Sequence, residues 1–159
     1  MARLPVLTIG PRMRYVIYFM IFILSILAVY CAYNIYQNKQ YAAKIMPVYK
    51  ALDLLHQDLN GVLNNDEKKN DSIKEIKRIS TAAKDLKPEV TKLEVRTEET
   101  KVLAQVFYTT IDKLVKTCNE INEAKENINT SVIQYDKSKT DFEASKAELK
   151  KLIEILPNR

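Results

Sequence analysis

"FYTTIDKLVKTCNEINEAKENI", residues 107–128, decides the fold. Phe107, Ile111, Leu114, Cys118, Ile121 and Ile128 step by threes and fours, with only Lys125 out of character. That alternation puts them on one face of an α-helix and matches the seam of a coiled coil. A strand would alternate every second residue, and this stretch does not.

Extended in both directions, the seam holds its phase from Ser72 to Leu156. Of its 25 positions, 19 are apolar. The strictest row, at seven-residue spacing, reads Leu93, Thr100, Phe107, Leu114, Ile121, Ile128, Tyr135, Phe142, Leu149 and Leu156. The chain has two glycines, Gly10 and Gly61, and after Val62 its only prolines are Pro88 and Pro157. A β-rich domain needs turn residues at regular intervals, so their absence again points to long helices.

The phase predicts a helix of about 128 Å over 72–156. Two places strain that continuity. Pro88 in "LKPEV" is where a helix kinks or restarts. Asn127, Asn129, Thr130 and Ser131 form helices poorly and could turn the chain. The expectation is therefore an all-α chain whose main form is an elongated helical hairpin or coiled coil. The alternative is a membrane-anchored four-helix bundle with helices near 35–63, 72–97, 99–126 and 131–156, whose matched lengths suit a bundle.

Upstream, a shorter seam runs through 35, 38, 42, 45, 49, 52, 56, 59 and 63, with seven of nine positions apolar. Pro47 interrupts it and predicts a kink or a fresh start near Met46. Residues 64–71 contain no regular apolar position and supply the asparagines that a turn between helices uses.

Before that seam lies "RMRYVIYFMIFILSILAVYCAYN", residues 12–34. Tyr15 to Tyr33 is a run of 19 residues without a charge. As a helix it spans about 28 Å, close to a bilayer core. A cleaved secretory signal has a shorter apolar region and small residues at its exit, whereas this exit reads "AVYCAYN". Tyrosines at both ends resemble an interfacial belt. The run is read as a retained anchor. Ser25, Ala28 and Ala32 share one face, where small side chains would let another helix approach in lipid.

The division that follows is a short basic tail (1–14), a transmembrane helix (15–33) and a helical domain (34–159). Arg3, Arg12 and Arg14 precede the span with no acid among them, which favours a cytoplasmic N-terminus. The domain would then lie outside. A composition rich in lysine, asparagine and isoleucine points to a bacterial inner membrane with the domain in the periplasm.

Net charge is +5. With three arginines ahead of the span, the remainder carries 22 basic against 20 acidic residues, interspersed. That is a solvated helix surface and excludes a nucleic-acid patch. Cys31 and Cys118 are too few for a disulfide framework, although two copies in register could pair through Cys118. With one histidine, His56, no zinc spacing exists. No glycine-rich phosphate loop and no nucleophile–base arrangement occurs, so no catalytic, metal or cofactor site is expected. "NDS" at 70–72 and "NTS" at 129–131 match a glycosylation sequon that chance alone supplies at this asparagine content. Lys125, Lys139 and Lys146 occupy seam positions, where lysine costs stability but can select register.

The function expected is structural: a single-pass scaffold or adaptor in an envelope complex. Its partners would be membrane lipid, other membrane or envelope proteins met by helix packing, and a second copy of itself. Two rivals share the topology. A membrane-proximal bundle can bind a small ligand and act as a sensory module, although "KKLIEILPNR" is no second span. A phage-type lysis protein can link two membranes by a coiled coil.

Overall fold

The structure, a computed structural model, describes residues 10–64, 69–126 and 132–158. Four helices follow in order: α1 (Pro11–Asn64), α2 (Lys69–Thr91), α3 (Glu98–Glu126) and α4 (Val132–Ile155). A single 3-10 turn, Leu156–Asn158, closes α4 against α1. The chain is all-α, as its apolar spacing predicts, and among the described residues there is no strand.

The single long helix over 72–156 is not formed. The chain stops being helical after Thr91 and restarts at Glu98, so α2 and α3 lie side by side instead of end to end. Pro88 is not the break. It sits inside α2, a turn before its end, with the Lys92 amide still donating to the Pro88 carbonyl at 3.0 Å. The predicted restart therefore moves from Pro88 to 92–97. The turn expected at Asn127, Asn129, Thr130 and Ser131 lies outside the described residues. Of the turn expected at 64–71, residues 65–68 lie outside them, while Asn64 and Lys69–Asp71 are already helical. The second sequon, at Asn129, also falls there.

Cross-helix pairs give an up-and-down bundle. Arg78 on α2 faces Asp58 on α1 at 3.7 Å. Thr91 and Tyr108 join α2 to α3 through their hydroxyls at 2.8 Å, and Lys87 reaches Asp112. Thr110 and Ser145 join α3 to α4 at 2.9 Å inside the core. Small hydroxyl residues there let two helices approach closely while satisfying each other's polar groups.

The core is the predicted seam, folded onto itself. Ile45, Leu52, Leu59, Ile76, Ile79, Val90, Phe107, Ile111, Leu114, Cys118, Phe142 and Leu149 are all buried. Ala83 is fully buried and Ala104 nearly so, and both make room for the larger rings. α3 buries a wider stripe than the other helices, including Leu103, Thr110 and Thr117 beside the seam, because it is packed by α2 on one flank and α4 on the other.

α1 differs from the other helices. It runs without interruption through Pro47, where a kink or restart is predicted. The amide missing at Pro47 would have bonded the carbonyl of Ala43, and both residues lie on the exposed face. Water can satisfy that carbonyl, so the helix absorbs the proline without ending. From Met13 to Tyr36 its large apolar side chains are exposed almost without exception, and burial starts at Gln37 and Asn38. Among the described residues one helix, within Arg12–Leu63, is long and apolar enough to cross a membrane. The most apolar window of that helix is wholly unburied.

Candidate functional site

The seam residues come together as an interior, not as a surface. Phe107, Ile111, Leu114, Cys118 and Leu149 have no exposed area. Ile121, Phe142 and Leu156 retain at most 3%. Leu93 is half-buried near the start of the α2–α3 connection. Ile128 lies outside the described residues, and so does the side chain of Tyr135. Burial pushes the Cys118 thiol up to about 12, which keeps it protonated and inert. A disulfide between two copies at Cys118 would require the bundle to open. Ser25, Ala28 and Ala32 are exposed on α1, with the Ser25 hydroxyl donating to the Ile21 carbonyl at 2.8 Å.

Three features stand out against this core. The first is a polar cluster between α1 and α4. The Lys146 ammonium ion-pairs with Asp53 and donates to His56 Nδ1 at 2.8 Å. That donation requires a lone pair on Nδ1, so the imidazole is neutral with its proton on Nε2. Nε2 faces the Asn60 side-chain amide at 3.1 Å and Glu143 at 3.8 Å. The atom that Asn60 turns to Nε2 is Nδ2, so accepting from Nε2–H takes an amide rotated end for end to present Oδ1. The Phe142 ring meets the imidazole edge-on at 5.0 Å. Burial, then the neighbouring Lys146 charge, pulls the His56 pKa below 6.5. The hydrogen bond from Lys146, with its charge, holds Asp53 below the ordinary carboxylate value against a smaller opposing effect of burial. Outside this cluster Tyr49 and Lys150 complete a polar cleft of about 390 Å³.

The seam position of Lys146 thus has a physical meaning. Its stem packs in the interior while its charge is matched by α1. Sequence spacing locates Lys146 and His56 on their seams, but it cannot pair residues 90 apart.

The second feature is the joint between α1 and the α2–α3 connection. Thr97 Oγ1 donates to Asn38 Oδ1 at 2.7 Å. The same oxygen accepts from the Thr100 amide at 3.2 Å, while Thr100 Oγ1 accepts from the Thr97 amide at 3.1 Å. This reciprocal cap starts α3, and Glu98 and Glu99 follow in its first turn, where carboxylates complement the helix dipole. Arg96 pairs with Glu94, reaches Gln37 Oε1 at 3.5 Å and lies against the Tyr33 hydroxyl. The signal for the cap was in the sequence: "TEET", residues 97–100, has the spacing of a capping box with threonine in the last place. The seam spacing masks it, because Thr97 and Thr100 both fall on the seam.

The third is an apolar notch of about 190 Å³ where the start of α3 meets the end of α4. Val102, Leu103, Leu152, Ile155 and Leu156 line it, with Glu98 and Glu99 at its mouth. Val102 and Ile155 are exposed there.

Burial, then Tyr108, pushes the Tyr41 phenol up to about 12, so it packs as a neutral group within the buried core. Among the described residues no group of three histidine, cysteine or carboxylate side chains is placed to hold a metal ion. Comparison with family models, curated proteins and solved structures finds no match.

Proposed function

We propose that this chain is a non-enzymatic scaffold or adaptor, held in a membrane by residues 15–33, that carries a folded four-helix bundle for partner proteins to bind. One observation carries the reading: a single uninterrupted helix, α1, supplies both the exposed apolar segment and the first helix of the bundle. A helix without a break transmits position and orientation, so the bundle stands at a set height and angle to the bilayer. The basic residues Arg12 and Arg14 support an N-terminus on the cytoplasmic side. A bacterial inner membrane with the bundle in the periplasm fits that orientation and the composition.

The seam residues hold this bundle together, so partner contacts fall elsewhere. Two apolar surfaces suit helix packing: the small-residue face of Ser25, Ala28 and Ala32 within the span, and the notch of α3 and α4. Co-purification from detergent-solubilised membranes tests both. The full chain should retain partners that are lost from an Ala28→Leu/Ala32→Leu chain or from a Val102→Glu/Ile155→Glu chain. Unchanged partners in both variants would defeat the adaptor reading.

A second reading keeps one specific observation in its favour. The cleft at Tyr49, Asp53, His56 and Lys146 lies between the two helices that a membrane-proximal sensor would use. Heat released on titrating small anionic or amino-acid ligands into the full chain, abolished by Lys146→Met, would favour that sensor.

A further inference from the structure

We infer that the α2–α3 connection, residues 92–97, rests on the lipid headgroup layer and inserts Val95 into it. This rests on the reading that residues 15–33 span a membrane. Three observations lead to it.

The first is position. The connection is tied to the base of the bundle: Thr97 to Asn38, and Arg96 to Gln37 and Tyr33. Asn38 lies five residues beyond Tyr33, a rise of about 7.5 Å along a continuous helix. Headgroups occupy roughly 5–8 Å on each side of the hydrocarbon core. The connection is therefore held at headgroup depth by α1 itself, whatever the tilt of the distal bundle.

The second is chemistry. Among the described residues the large exposed apolar side chains run from Met13 to Tyr36, and beyond them stand only Leu54, Val95, Val102 and Ile155. Val95 is the one that sits in this connection, 44% exposed, between Glu94 and Arg96. A singly exposed valine is ordinary on a water-facing surface, so what marks Val95 is its place, in the one link tied to α1 beside Tyr33 and Tyr36. Tyr33 and Tyr36, exposed on the adjacent turn of α1, are suited to the same layer.

The third is charge. Lys92 is paired with Glu89 at 2.6 Å, and Arg96 is paired with Glu94. The cations of the connection already have partners within the chain. Contact with the membrane is therefore driven by the apolar tip and the tyrosines, with little dependence on anionic lipid or on salt. The consequence is a second point of attachment: α1 passes through the bilayer while the 92–97 link bears on its surface, which reinforces the angle that the continuous helix sets.

The chain contains no tryptophan, so single-tryptophan variants report depth without background at red-edge excitation. The full chain would be reconstituted in phosphatidylcholine vesicles with and without brominated acyl chains. Leu24→Trp reports the span, Val95→Trp the connection, and Leu54→Trp a position about 32 Å beyond Tyr33. Leu24→Trp should be quenched most. Val95→Trp should be quenched at least about twofold more than Leu54→Trp, with blue-shifted emission, as expected of an indole in the interface. Replacing part of the lipid with phosphatidylglycerol, or raising salt, should leave that ratio unchanged. If Leu24→Trp is quenched but Val95→Trp matches Leu54→Trp, the span stands and the surface contact is overturned. If Leu24→Trp itself is not quenched, the membrane reading fails and takes this inference with it. A ratio that collapses in salt would overturn the apolar mechanism.

Discussion

Lys146 carries the most unusual local environment in the bundle. It is an ammonium largely withdrawn from water, with Asp53 and His56 as its partners across the α1–α4 groove. Removing it leaves Asp53 without its main donor. Lys146→Ala should lower stability by about 1–2 kcal/mol in urea melts, since a partly buried carboxylate loses its charge-assisted hydrogen bond. Lys146→Arg should recover much of that if the longer fork can reach both partners.

His56 adds a pH dependence whose sign follows from its environment. Its folded pKa lies below the unfolded value of 6.5, so the unfolded chain takes up protons first. The stability it permits is complete above about 6.5 and falls as pH drops towards the folded pKa. Asp53, with a lowered pKa, contributes stability that is lost only at pH below the ordinary carboxylate value of 3.8. The two windows are separate. Thermal melts from pH 7.5 to 5 should show a falling midpoint, and His56→Gln should flatten that slope without altering the acid limb below pH 4. A slope unchanged in His56→Gln would assign it to other groups.

At the level of elements, α3 is the hub, and its start explains what the periodicity concealed. The seam holds its phase through 92–97 although the chain reverses there. Phase records only which side of each helix faces the core, and a connection of suitable length preserves it by accident of spacing. Continuity of phase is thus no measure of continuity of the helix. Thr97 marks the true start. Thr97→Ala removes both the cap of α3 and the bond to Asn38, and should cost about 1–2 kcal/mol with faster amide exchange in the first turn of α3. Thr97→Ser should keep both. In the middle of the helix, Phe107→Ala should cost about 3–5 kcal/mol, because its ring is wholly enclosed and the cavity cannot collapse between three neighbours.

For the whole molecule, α1 has two halves of different character. Its first half leaves its apolar side chains exposed, which the proposed anchoring places in lipid, and its second half offers one seam to three other helices. The two halves should fail independently. Phe107→Asp places an unpaired charge in the core and should abolish cooperative melting of the bundle. The same chain should still partition with membranes after alkaline washing, because residues 15–33 are untouched. Release of Phe107→Asp into the soluble fraction would show that the bundle, and not the span, holds the chain to the bilayer.

The amino-acid sequence by itself determined the helical class, the faces that are buried and the exposed apolar half of α1. Each is a local matter: side-chain period, the scarcity of glycine and proline, and an uncharged run long enough for a bilayer. Ile45, Leu52, Ile79, Phe107, Leu114 and Leu149 are core residues, as their place on the apolar seam predicts. The tertiary structure alone decided whether the seam closes within one chain or seeks another, that Pro47 does not break α1, and that Lys146 meets Asp53 and His56. Those outcomes depend on contacts between residues far apart in sequence. They depend also on whether a carbonyl freed by proline faces water or core, and no periodicity within one helix contains that information.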